Sequence, residues 1–370
     1  NNNRYLSIIK NVDKDKVDKI KKLPIFKYGS IKGGLIIEQK IQREYPLGKV
    51  AERTIGYEKT DRNGNYWGVG LEHAYGSLLR GKNGKMTKRK ISNGQWKVLE
   101  SNLNKSPIDG LDINTTLNTY MQDLVHDYLL EQTEKFEANH STAVLMEVKT
   151  GKIKAISNFA RTEKGKYFEK LNYALGESIE PGSTFKLMTM IAALEDQVID
   201  TLQMIDTENG ELDFYGFKVR DSRKGGYGQI NAMDIFRLSS NTGMVKIISE
   251  AYKNQSEKFV NRLFNMGLNN SLNMEIKGEP NPKIPHPLDS SWNGLSLPWM
   301  SYGYGVSLTP LQILSFYNAV ANDGEMVKPT FLESTIKLGS KDKNQFKKTV
   351  INPKICSKNT LLIAQKMLYD

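Results

Sequence analysis

The sequence predicts an α+β protein in which an antiparallel sheet is covered by helices. Two features carry this prediction: a strand pair within residues 141–156, and a nearly all-apolar segment at Leu187–Leu194 that indicates a buried helix. The first hundred residues are basic and differ in composition from the rest, which bears on the division into domains. At 370 residues the chain is long enough for two domains, on the usual scale of roughly 100–200 residues each. Its 39% hydrophobic and 25% charged residues are typical of a packed globular protein rather than a disordered one.

The positive charge is concentrated in the first part of the chain. The net formal charge is +11, and residues 1–108 hold 23 Lys and Arg against 10 Asp and Glu, whereas residues 109–370 hold 29 against 31. Together with a polar stretch from Glu100 to Pro107, this change predicts a basic first domain, residues 1–108, and a second domain, residues 109–370. A basic surface could meet anionic lipid headgroups or other phosphates, or could only keep an exposed domain in solution. No RNA- or DNA-binding motif accompanies it, so nucleic acid is not a predicted partner.

The cysteine and the histidines exclude several kinds of site. With a single cysteine, Cys356, the chain cannot form an internal disulfide. The histidines show no HxxxH pair and no Cys/His cluster, so we predict neither a metal site nor a cofactor; they are His73, His126, His140 and His286. The longest apolar runs are shorter than the ~20 residues needed to cross a bilayer, and the polar opening residues do not resemble a signal peptide.

Turn residues and periodicity divide the first 160 residues into elements. Glycine pairs at Gly33-Gly34, Asn63-Gly64 and Asn83-Gly84 indicate mixed helices and strands with frequent turns. After Asp112, apolar residues at helical spacing predict a helix; they are Met121, Leu124, Val125, Tyr128 and Leu129. Next, Ser141 to Val148 is apolar and β-branched, Thr150-Gly151 is a turn signal, and Ile153 to Ile156 continues, which predicts a β-hairpin.

Three further helices are predicted in the second domain. Nearly every residue from Leu187 to Leu194 is apolar, which predicts a helix buried on all sides. Another follows Asn241, where apolar residues recur at helical spacing. A third begins at Thr309-Pro310, because Thr at the N-cap, Pro at the first position and Gln312 form a capping box; Gly324 marks its end.

One Ser-x-x-Lys pair lies in a setting suited to catalysis. A serine hydroxyl is a poor nucleophile without a base close by, and a lysine three positions on lies on the same helical face. If that lysine is buried, desolvation lowers its pKa and makes it a usable base. The pattern occurs four times, at Ser7/Lys10, Ser183/Lys186, Ser334/Lys337 and Ser340/Lys343. Only Ser183/Lys186 follows a Pro-Gly turn and opens an all-apolar helix, so Ser183 is the candidate nucleophile and Lys186 its candidate base.

The Ser-x-Asn pattern is also repeated, and context again selects one copy. Ser239-Ser240-Asn241 lies 56 residues after Ser183 and directly precedes an apolar helix. There a hydroxyl could relay a proton, and an amide could bind a peptide carbonyl. The simpler interpretation is a helix N-cap, since Ser and Asn are favoured at that position.

The order of these motifs resembles that of penicillin-binding proteins and serine β-lactamases. Glu180 to Lys186 closely resembles the nucleophile segment of class B (monofunctional) penicillin-binding proteins. Two segments of that family's N-terminal pedestal, R-x-Y-P-x-G and G-L-E-x-x-Y…L-x-G-x-x-G, are matched by Arg43, Tyr45-Pro46, Gly48, Ala51 and Gly56, and by Gly70-Leu71-Glu72, Tyr75, Leu79, Gly81 and Gly84. Asp109-Gly110-x-Asp112 resembles the start of the transpeptidase domain. Ser301-Tyr302-Gly303-Tyr304-Gly305, followed by Thr309-Pro310-Leu311-Gln312, resembles the cell-division branch more than the elongation branch.

The resemblance implies a role for each matching residue. Ser183 resembles the acylated nucleophile, Lys186 its proton acceptor and Ser239 the relay to the leaving group; Asn241 and Tyr304 match substrate-binding positions. The implied reaction is D,D-transpeptidation: Ser183 attacks the D-Ala-D-Ala bond of a peptidoglycan stem peptide, D-alanine leaves, and an amine of a neighbouring stem takes the acyl group. β-Lactams mimic the donor and stall at the acyl-enzyme.

The third motif of the family departs from the expected order. Lys149-Thr150-Gly151 lies upstream of Ser183, in the predicted hairpin, so we interpret it as a turn rather than as the catalytic Lys-Thr-Gly strand. No other Lys-Thr-Gly or Lys-Ser-Gly follows Asn241. We therefore expect that the sequence is cut short, with the missing strand a few tens of residues beyond Asp370 and a membrane anchor upstream. A chain naturally ending here should turn over weakly, since losing one oxyanion donor costs roughly 2.7–4 kcal/mol.

Two other functions fit part of this pattern. A β-lactamase or β-lactam sensor shares the Ser-x-x-Lys core but does not usually carry such a pedestal. A non-catalytic scaffold of the same fold, binding cell-division proteins, would explain the absent third motif, although the first two motifs are intact. The resemblance implies stem peptides, β-lactams, a membrane glycan polymerase and other division proteins as partners. It also implies a location at the periplasmic or extracytoplasmic face of the bacterial inner membrane, with an elongation role as the alternative to a septal one.

Overall fold

The computed structural model divides the chain into two compact units, residues 1–48 and 49–370. It describes residues 6–38, 44–46, 48–91, 96–337, 339–340 and 342–369. The described part of the first unit holds the short helices α1 (Lys14–Ile20) and α2 (Gly29–Lys32), with a 3-10 turn at Phe26–Tyr28. Arg43 of the pedestal motif lies outside the described residues. No described helix has the length and apolar character that a membrane span requires.

The second unit begins with short elements joined by glycine turns. These are α3 (Glu52–Ile55), β1 (Tyr57–Thr60), β2 (Tyr66–Val69), α4 (Gly70–Ala74), α5 (Gly76–Leu79), β3 (Lys88–Lys90), β4 (Trp96–Val98) and β5 (Leu111–Thr115). Strands β1 and β2 pair antiparallel. Their turn contains Asn63-Gly64, where Gly64 has φ +86° and the Asp61 carboxylate accepts from the backbone N–H groups of Asn63 and Asn65 at 2.8 Å each. The predicted turn at Asn63-Gly64 is therefore confirmed.

The segment predicted to separate the domains folds back onto the residues before it. Lys82 pairs with Ile108 and Lys85 with Lys105 in isolated antiparallel bridges. Gly84 serves a close backbone approach here rather than a turn, since a Cβ at that position would lie 2.7 Å from the Lys105 carbonyl oxygen. The compact units divide after Gly48 instead, and a boundary between residues 108 and 109 stays a prediction.

The remainder of the second unit alternates helices with short strands. In chain order these are α6 (Thr119–Lys135), β6 (His140–Met146), β7 (Ile153–Arg161), β8 (Tyr167–Phe168), α7 (Tyr173–Gly176), α8 (Lys186–Glu195), β9 (Met204–Asp206), β10 (Glu211–Phe214), β11 (Phe217–Arg220), β12 (Gln229–Asn231), α9 (Ala232–Arg237), α10 (Asn241–Ala251), α11 (Ser256–Asn265), α12 (Ser296–Ser301), α13 (Pro310–Ala321), β13 (Met326–Val327), β14 (Leu332–Lys337), β15 (Lys343–Gln345), β16 (Val350–Asn352) and α14 (Lys358–Tyr369). Every pair of these strands is antiparallel among the described residues. The α+β class is confirmed.

The predicted hairpin forms the longest strand pair of the described structure. Strands β6 and β7 pair from His140↔Ala160 to Met146↔Ile153, and β8 extends the sheet beyond β7. Lys149, Thr150 and Gly151 make the turn, with Gly151 at φ +72° and the Lys149 ammonium 2.9 Å from Asp323. This Lys-Thr-Gly is therefore structural, as predicted.

Helix α6 confirms the predicted helix but buries a different face from its apolar one. Gln122 and Thr133 are buried, whereas Leu124 and Tyr128 are 38% and 64% exposed. The Gln122 amide both donates to the Ile156 carbonyl (2.8 Å) and accepts from the Ile156 N–H (2.9 Å) of β7. The Gln122 side chain thus pairs with both backbone hydrogen-bonding groups of Ile156. The spacing of apolar residues gives no indication of this contact.

Helix α8 is the centre of the main core, as its apolar run predicts. Every residue from Lys186 to Leu194 is buried. Its apolar side chains belong to one core cluster with residues from other helices, including Met244 (α10), Phe259 (α11), Phe316 (α13) and Ala364 (α14). Each large side chain buried in this way contributes about 1.5–3 kcal/mol, so the position of α8 is strongly determined. Residue Lys186, at its start, is held in place by the same packing.

Helix α13 begins at the predicted capping box. Thr309 Oγ1 accepts from the Gln312 N–H at 3.1 Å, and the Gln312 side chain accepts from the Thr309 N–H at 2.9 Å. Gly324, at φ +87°, lies just past the helix and donates to the Ala319 carbonyl. Both predicted ends are confirmed.

Candidate functional site

Ser183 lies in a tight turn that leads into α8. Residues Gly182–Phe185 form a 3-10 turn, in which Ser183 and Thr184 are exposed and Phe185 is buried. The turn is held by the Thr184 hydroxyl, which donates to the Pro181 carbonyl at 2.7 Å, and by the Tyr317 hydroxyl, which donates to the Thr184 carbonyl at 2.9 Å. Ser183 is thus exposed three residues before the buried Lys186, and among the described hydrogen bonds none joins the two side chains.

Lys186 is a buried lysine whose three protons all have acceptors. Its Nζ lies 2.7 Å from the Ser239 carbonyl oxygen, 3.0 Å from Ser239 Oγ and 2.6 Å from Asn241 Oδ1. The residue is 1% exposed. Burial lowers the pKa of this ammonium to about 8, against a smaller opposite effect of the Asp221 charge. Such a lysine can lose its proton near neutral pH and act as a base.

The Ser239-Ser240-Asn241 segment divides helix capping and lysine contact between different residues. Ser240 is the N-cap of α10, and its hydroxyl accepts from the Gly243 N–H at 3.0 Å. Ser239 has a left-handed backbone, φ +54°, that a non-glycine residue rarely adopts. Because Ser240 satisfies the helix end, Ser239 and Asn241 are left to contact Lys186. Capping therefore explains Ser240 alone.

Asp221 is a site residue that the sequence analysis missed. Its carboxylate accepts from the N–H groups of Asn241 (2.6 Å) and Thr242 (3.0 Å) and from the hydroxyls of Ser240 (3.0 Å) and Thr242 (2.8 Å). A carboxylate at the first turn of an 11-residue helix also complements the helix dipole. Its partners lie 19 to 21 positions away in sequence, so no local motif could have indicated it.

The segment 301–305 is joined to the Ser183 turn by backbone hydrogen bonds. The Gly182 N–H donates to the Gly303 carbonyl at 3.1 Å, and the Gly305 N–H donates to Glu180 Oε1 at 2.9 Å. Tyr304 lies between these contacts, 42% exposed, with its ring 4.9 Å from that of Tyr302. The structure thus places Tyr304 beside the turn that carries Ser183 and leaves the tyrosine partly exposed.

The other candidate nucleophiles lie in different surroundings. Ser334 is buried in strand β14, where its hydroxyl accepts from the Asn114 amide at 2.9 Å. Cys356 is buried, and burial raises the pKa of its thiol to about 11. Among the residues that the structure describes, no His, Cys, Asp and Glu side chains group as metal ligands.

Two family models match this chain, one in its first part and one in the remainder. The family described as penicillin binding protein transpeptidase domain matches residues 141–370, and the penicillin-binding protein dimerisation domain matches residues 1–115. The transpeptidase match spans more than half of the chain. It includes the lysine cluster, that is, Lys186 with its contacts Ser239 and Asn241. The chain belongs to the penicillin-binding protein transpeptidase family. The family and the fold implied by the sequence motifs are confirmed.

Curated relatives of this penicillin-binding protein include proteins named as a penicillin-binding protein, a sporulation protein and a peptidoglycan D,D-transpeptidase. Penicillin-binding protein PbpB of Mycolicibacterium smegmatis is 28% identical over 81% of this chain and 46% of its own length. Stage V sporulation protein D of Bacillus subtilis is 26% identical over 86% and 48%. Peptidoglycan D,D-transpeptidase FtsI of Escherichia coli is 26% identical over 87% and 52%. The chain thus spans about half the length of the curated relatives it matches.

Solved penicillin-binding proteins share the fold. Penicillin-binding protein 2X of Streptococcus thermophilus superposes with a TM-score of 0.71 at 23% identity, over 87% of this chain and 48% of that one. Penicillin-binding protein 3 of Mycobacterium tuberculosis, complexed with aztreonam, gives a TM-score of 0.71 at 24% identity, over 88% and 68%.

Replacing Gly303 by alanine is expected to displace the Ser183 turn in this penicillin-binding protein. Gly303 has φ +89°, and a Cβ would lie 2.0 Å from the Gly182 carbonyl oxygen, so the two segments must separate. Because sub-ångström placement governs attack, acylation by a penicillin should slow roughly tenfold. The rate constant of fluorescent-penicillin labelling measures this effect. Gly305→Ala is the matched control, since no atom lies within 4 Å of its Cβ position; equal rates for both variants would contradict the prediction.

Proposed function

We propose that this penicillin-binding protein is a peptidoglycan D,D-transpeptidase that works through an acyl-enzyme on Ser183. The observation that carries the proposal is the buried Lys186, hydrogen-bonded to Ser239 and Asn241 three residues after an exposed serine. Relatives with matching chains are named peptidoglycan D,D-transpeptidase, including that of Escherichia coli. Septal cell-wall synthesis is the proposed process, since the 301–305 segment resembles the cell-division branch.

The acylation step follows from the protonation state of Lys186 and from its contact with Ser239. With its pKa at about 8, roughly one Lys186 in ten is neutral at pH 7. The neutral amine takes the Ser183 proton as Oγ attacks the carbonyl carbon of the penultimate D-alanine. N–H groups at the start of α8 stabilise the developing oxyanion. The Ser239 hydroxyl, 3.0 Å from Lys186 Nζ, gives its proton to the leaving nitrogen and takes up the proton that Lys186 received; the C–N bond breaks and D-alanine departs.

The second step transfers the acyl group to a peptide amine. The acceptor nitrogen takes the place of D-alanine, gives its proton to the same lysine and serine pair, and forms the cross-link as Ser183 Oγ leaves. Asn241, whose side-chain nitrogen donates to the Arg220 carbonyl at 2.8 Å, lies beside this path and is proposed to bind the donor peptide with Tyr304. A β-lactam acylates Ser183 in the same way but keeps its amine tethered, so the acyl-enzyme persists.

The proposed setting is the extracytoplasmic face of the inner membrane, where stem peptides are cross-linked. A membrane anchor upstream, a membrane glycan polymerase and other division proteins are the proposed partners, in line with the family resemblance. The proposal needs neither a metal nor a cofactor, because the lysine and serine side chains carry each proton.

Covalent labelling by a fluorescent penicillin tests the proposal. We expect one adduct per chain by intact mass, suppressed by excess unlabelled ampicillin, and located on Ser183 by peptide mapping. Ser7, Ser334 and Ser340 are internal controls, since each precedes a lysine by three positions but lies outside the buried cluster. Label on one of these serines, or no label either on this chain or on one extended past Asp370, with both shown to be folded, would overturn the enzyme proposal and favour the non-catalytic scaffold.

A further inference from the structure

A two-stranded ribbon in the second unit is exposed on both faces. We call the described residues 82–91 and 96–108 the basic hairpin. All six residues of β3 and β4 are exposed, and they pair as Lys88↔Val98, Arg89↔Lys97 and Lys90↔Trp96. Directly paired residues share a face, and successive residues alternate between faces. One face therefore presents Trp96 and Val98 between two lysines, and the other presents Arg89 and Lys97.

The basic hairpin carries a strong, uncompensated positive charge. The segment 82–108 contains seven Lys and Arg and one acidic residue, Glu100. None of the seven cations forms an ion pair with any residue that the structure describes. The nearest pair in sequence joins Arg80 to Glu58, outside the hairpin. The charge is thus available to an external anionic partner.

Apolar side chains are exposed beside these charges. Trp96 and Met86 are each 62% exposed, and Val98 is 49% exposed. Leu103 and Ile108 are exposed further along the segment. A two-stranded hairpin is marginally stable by itself. Its exposed tryptophan and aliphatic side chains would be buried favourably against an apolar medium.

Mixed lysine and tryptophan side chains on a narrow ribbon fit a lipid surface better than a protein. Strands of three residues extend only about 10 Å, whereas a stable protein interface needs about 800 Å² from each partner. A bilayer interface accepts a few apolar side chains at headgroup depth, and each nearby lysine is attracted by anionic lipid. Tryptophan is enriched at that depth, since its ring is apolar and its N–H is polar.

We infer that the basic hairpin docks on an anionic lipid surface, with Trp96 and Val98 at headgroup depth and Lys88 and Lys90 against lipid phosphates. The inference goes beyond the proposed transpeptidase function and does not depend on it. Docking would hold the second unit against the membrane by a contact separate from any spanning segment.

Vesicle sedimentation of the purified chain tests this inference. At about 50 mM salt, where screening is weak, the chain should bind vesicles of equal phosphatidylglycerol and phosphatidylcholine, and should not bind phosphatidylcholine alone. Lys88→Glu with Lys90→Glu should weaken binding at least tenfold. Trp96→Ser should weaken it less, and should remove the quenching of tryptophan fluorescence by brominated lipid. Lys253→Glu with Lys258→Glu is the control, since it reverses two exposed lysines near α11 and should leave binding unchanged.

Each result bears directly on the inference. Unchanged binding of the Lys88/Lys90 variant, or an equal loss in the Lys253/Lys258 control, overturns it. If the charge variant loses binding but Trp96→Ser keeps full binding and quenching, the hairpin binds lipid by charge alone. That result would overturn the placement of Trp96 at headgroup depth. Penicillin labelling and thermal unfolding of every variant should match the starting chain, which separates docking from catalysis and from folding.

Discussion

Replacing Lys186 by methionine is expected to lower the rate constant of acylation by a penicillin about 10³-fold or more. The substitution keeps the length and the apolar stem of a side chain that is buried at the start of α8. It removes the amine that is proposed to take the Ser183 proton, and positioned general bases contribute about 10²–10⁴-fold. It also leaves the Ser239 carbonyl and Asn241 Oδ1 without their donor. Time courses of fluorescent-penicillin labelling at saturating and sub-saturating concentrations measure the change.

The pH dependence of the same reaction identifies the base. Burial lowers the pKa of Lys186 to about 8, and the neutral amine is the proposed reactive form. The acylation rate should therefore rise with pH up to about 8 and level off above it. The same shift means that the unfolded chain holds this proton more tightly, so the contribution of Lys186 to the free energy of unfolding should rise between about pH 8 and 10.5. That contribution is measured as the difference between the starting chain and Lys186→Met, and the pH dependence of the acylation rate should vanish in the variant.

Lys149→Met is the matched control for this prediction. Lys149 belongs to the upstream Lys-Thr-Gly turn, where its side chain is 70% exposed and its ammonium pairs with Asp323 at 2.9 Å. An exposed pair of this kind is worth little, and no site residue contacts it among the described hydrogen bonds. The control should label at the starting rate. Equal loss in both variants, or a rate that does not vary with pH in the starting chain, would contradict the assignment of Lys186.

Local signals predicted those elements whose determinants lie close together in sequence. The capping box of α13 needs Thr309, Pro310 and Gln312 within four positions, and it forms as predicted. The hairpin of β6 and β7 needs only a turn between two apolar strands. Helix α6 was predicted, but its buried face was not, because Gln122 is turned inward by the backbone of a strand that follows 34 residues later.

The candidate site likewise combines residues that are close in sequence with residues that are far apart. Ser183 and Lys186 are three residues apart, so helical geometry alone relates them. Ser183 and Ser239 are 56 positions apart in sequence, and the packing of α10 against the α8 core brings their segments together, which no spacing rule predicts. The family resemblance supplied that link, and the structure added that Ser240 rather than Ser239 caps the helix.

Asp221→Asn is expected to slow acylation roughly 10²-fold while leaving the chain folded. An amide has the shape of the carboxylate but one accepting oxygen, and it turns an N–H₂ toward donors that the carboxylate now satisfies. The first turn of α10 must then shift, and displacement of Ser239 and Asn241 from Lys186 by about 1 Å can cost this factor. The Asp221 charge also raises the pKa of Lys186, opposing desolvation. Its removal should therefore move the midpoint of the acylation rate to a pH below about 8.

Asp196→Asn separates this positioning role from loss of stability. Asp196 is another fully buried carboxylate of the same unit, held by Arg262 Nε at 2.8 Å and by the Tyr252 hydroxyl at 2.9 Å, away from the lysine cluster. Both substitutions remove a buried hydrogen-bonded charge and should lower the thermal unfolding temperature. Only Asp221→Asn should shift the pH midpoint, since a merely destabilised fold leaves the surroundings of Lys186 unchanged. An unshifted midpoint, or equal loss of rate in both variants, would mean that Asp221 supports the fold and not the base.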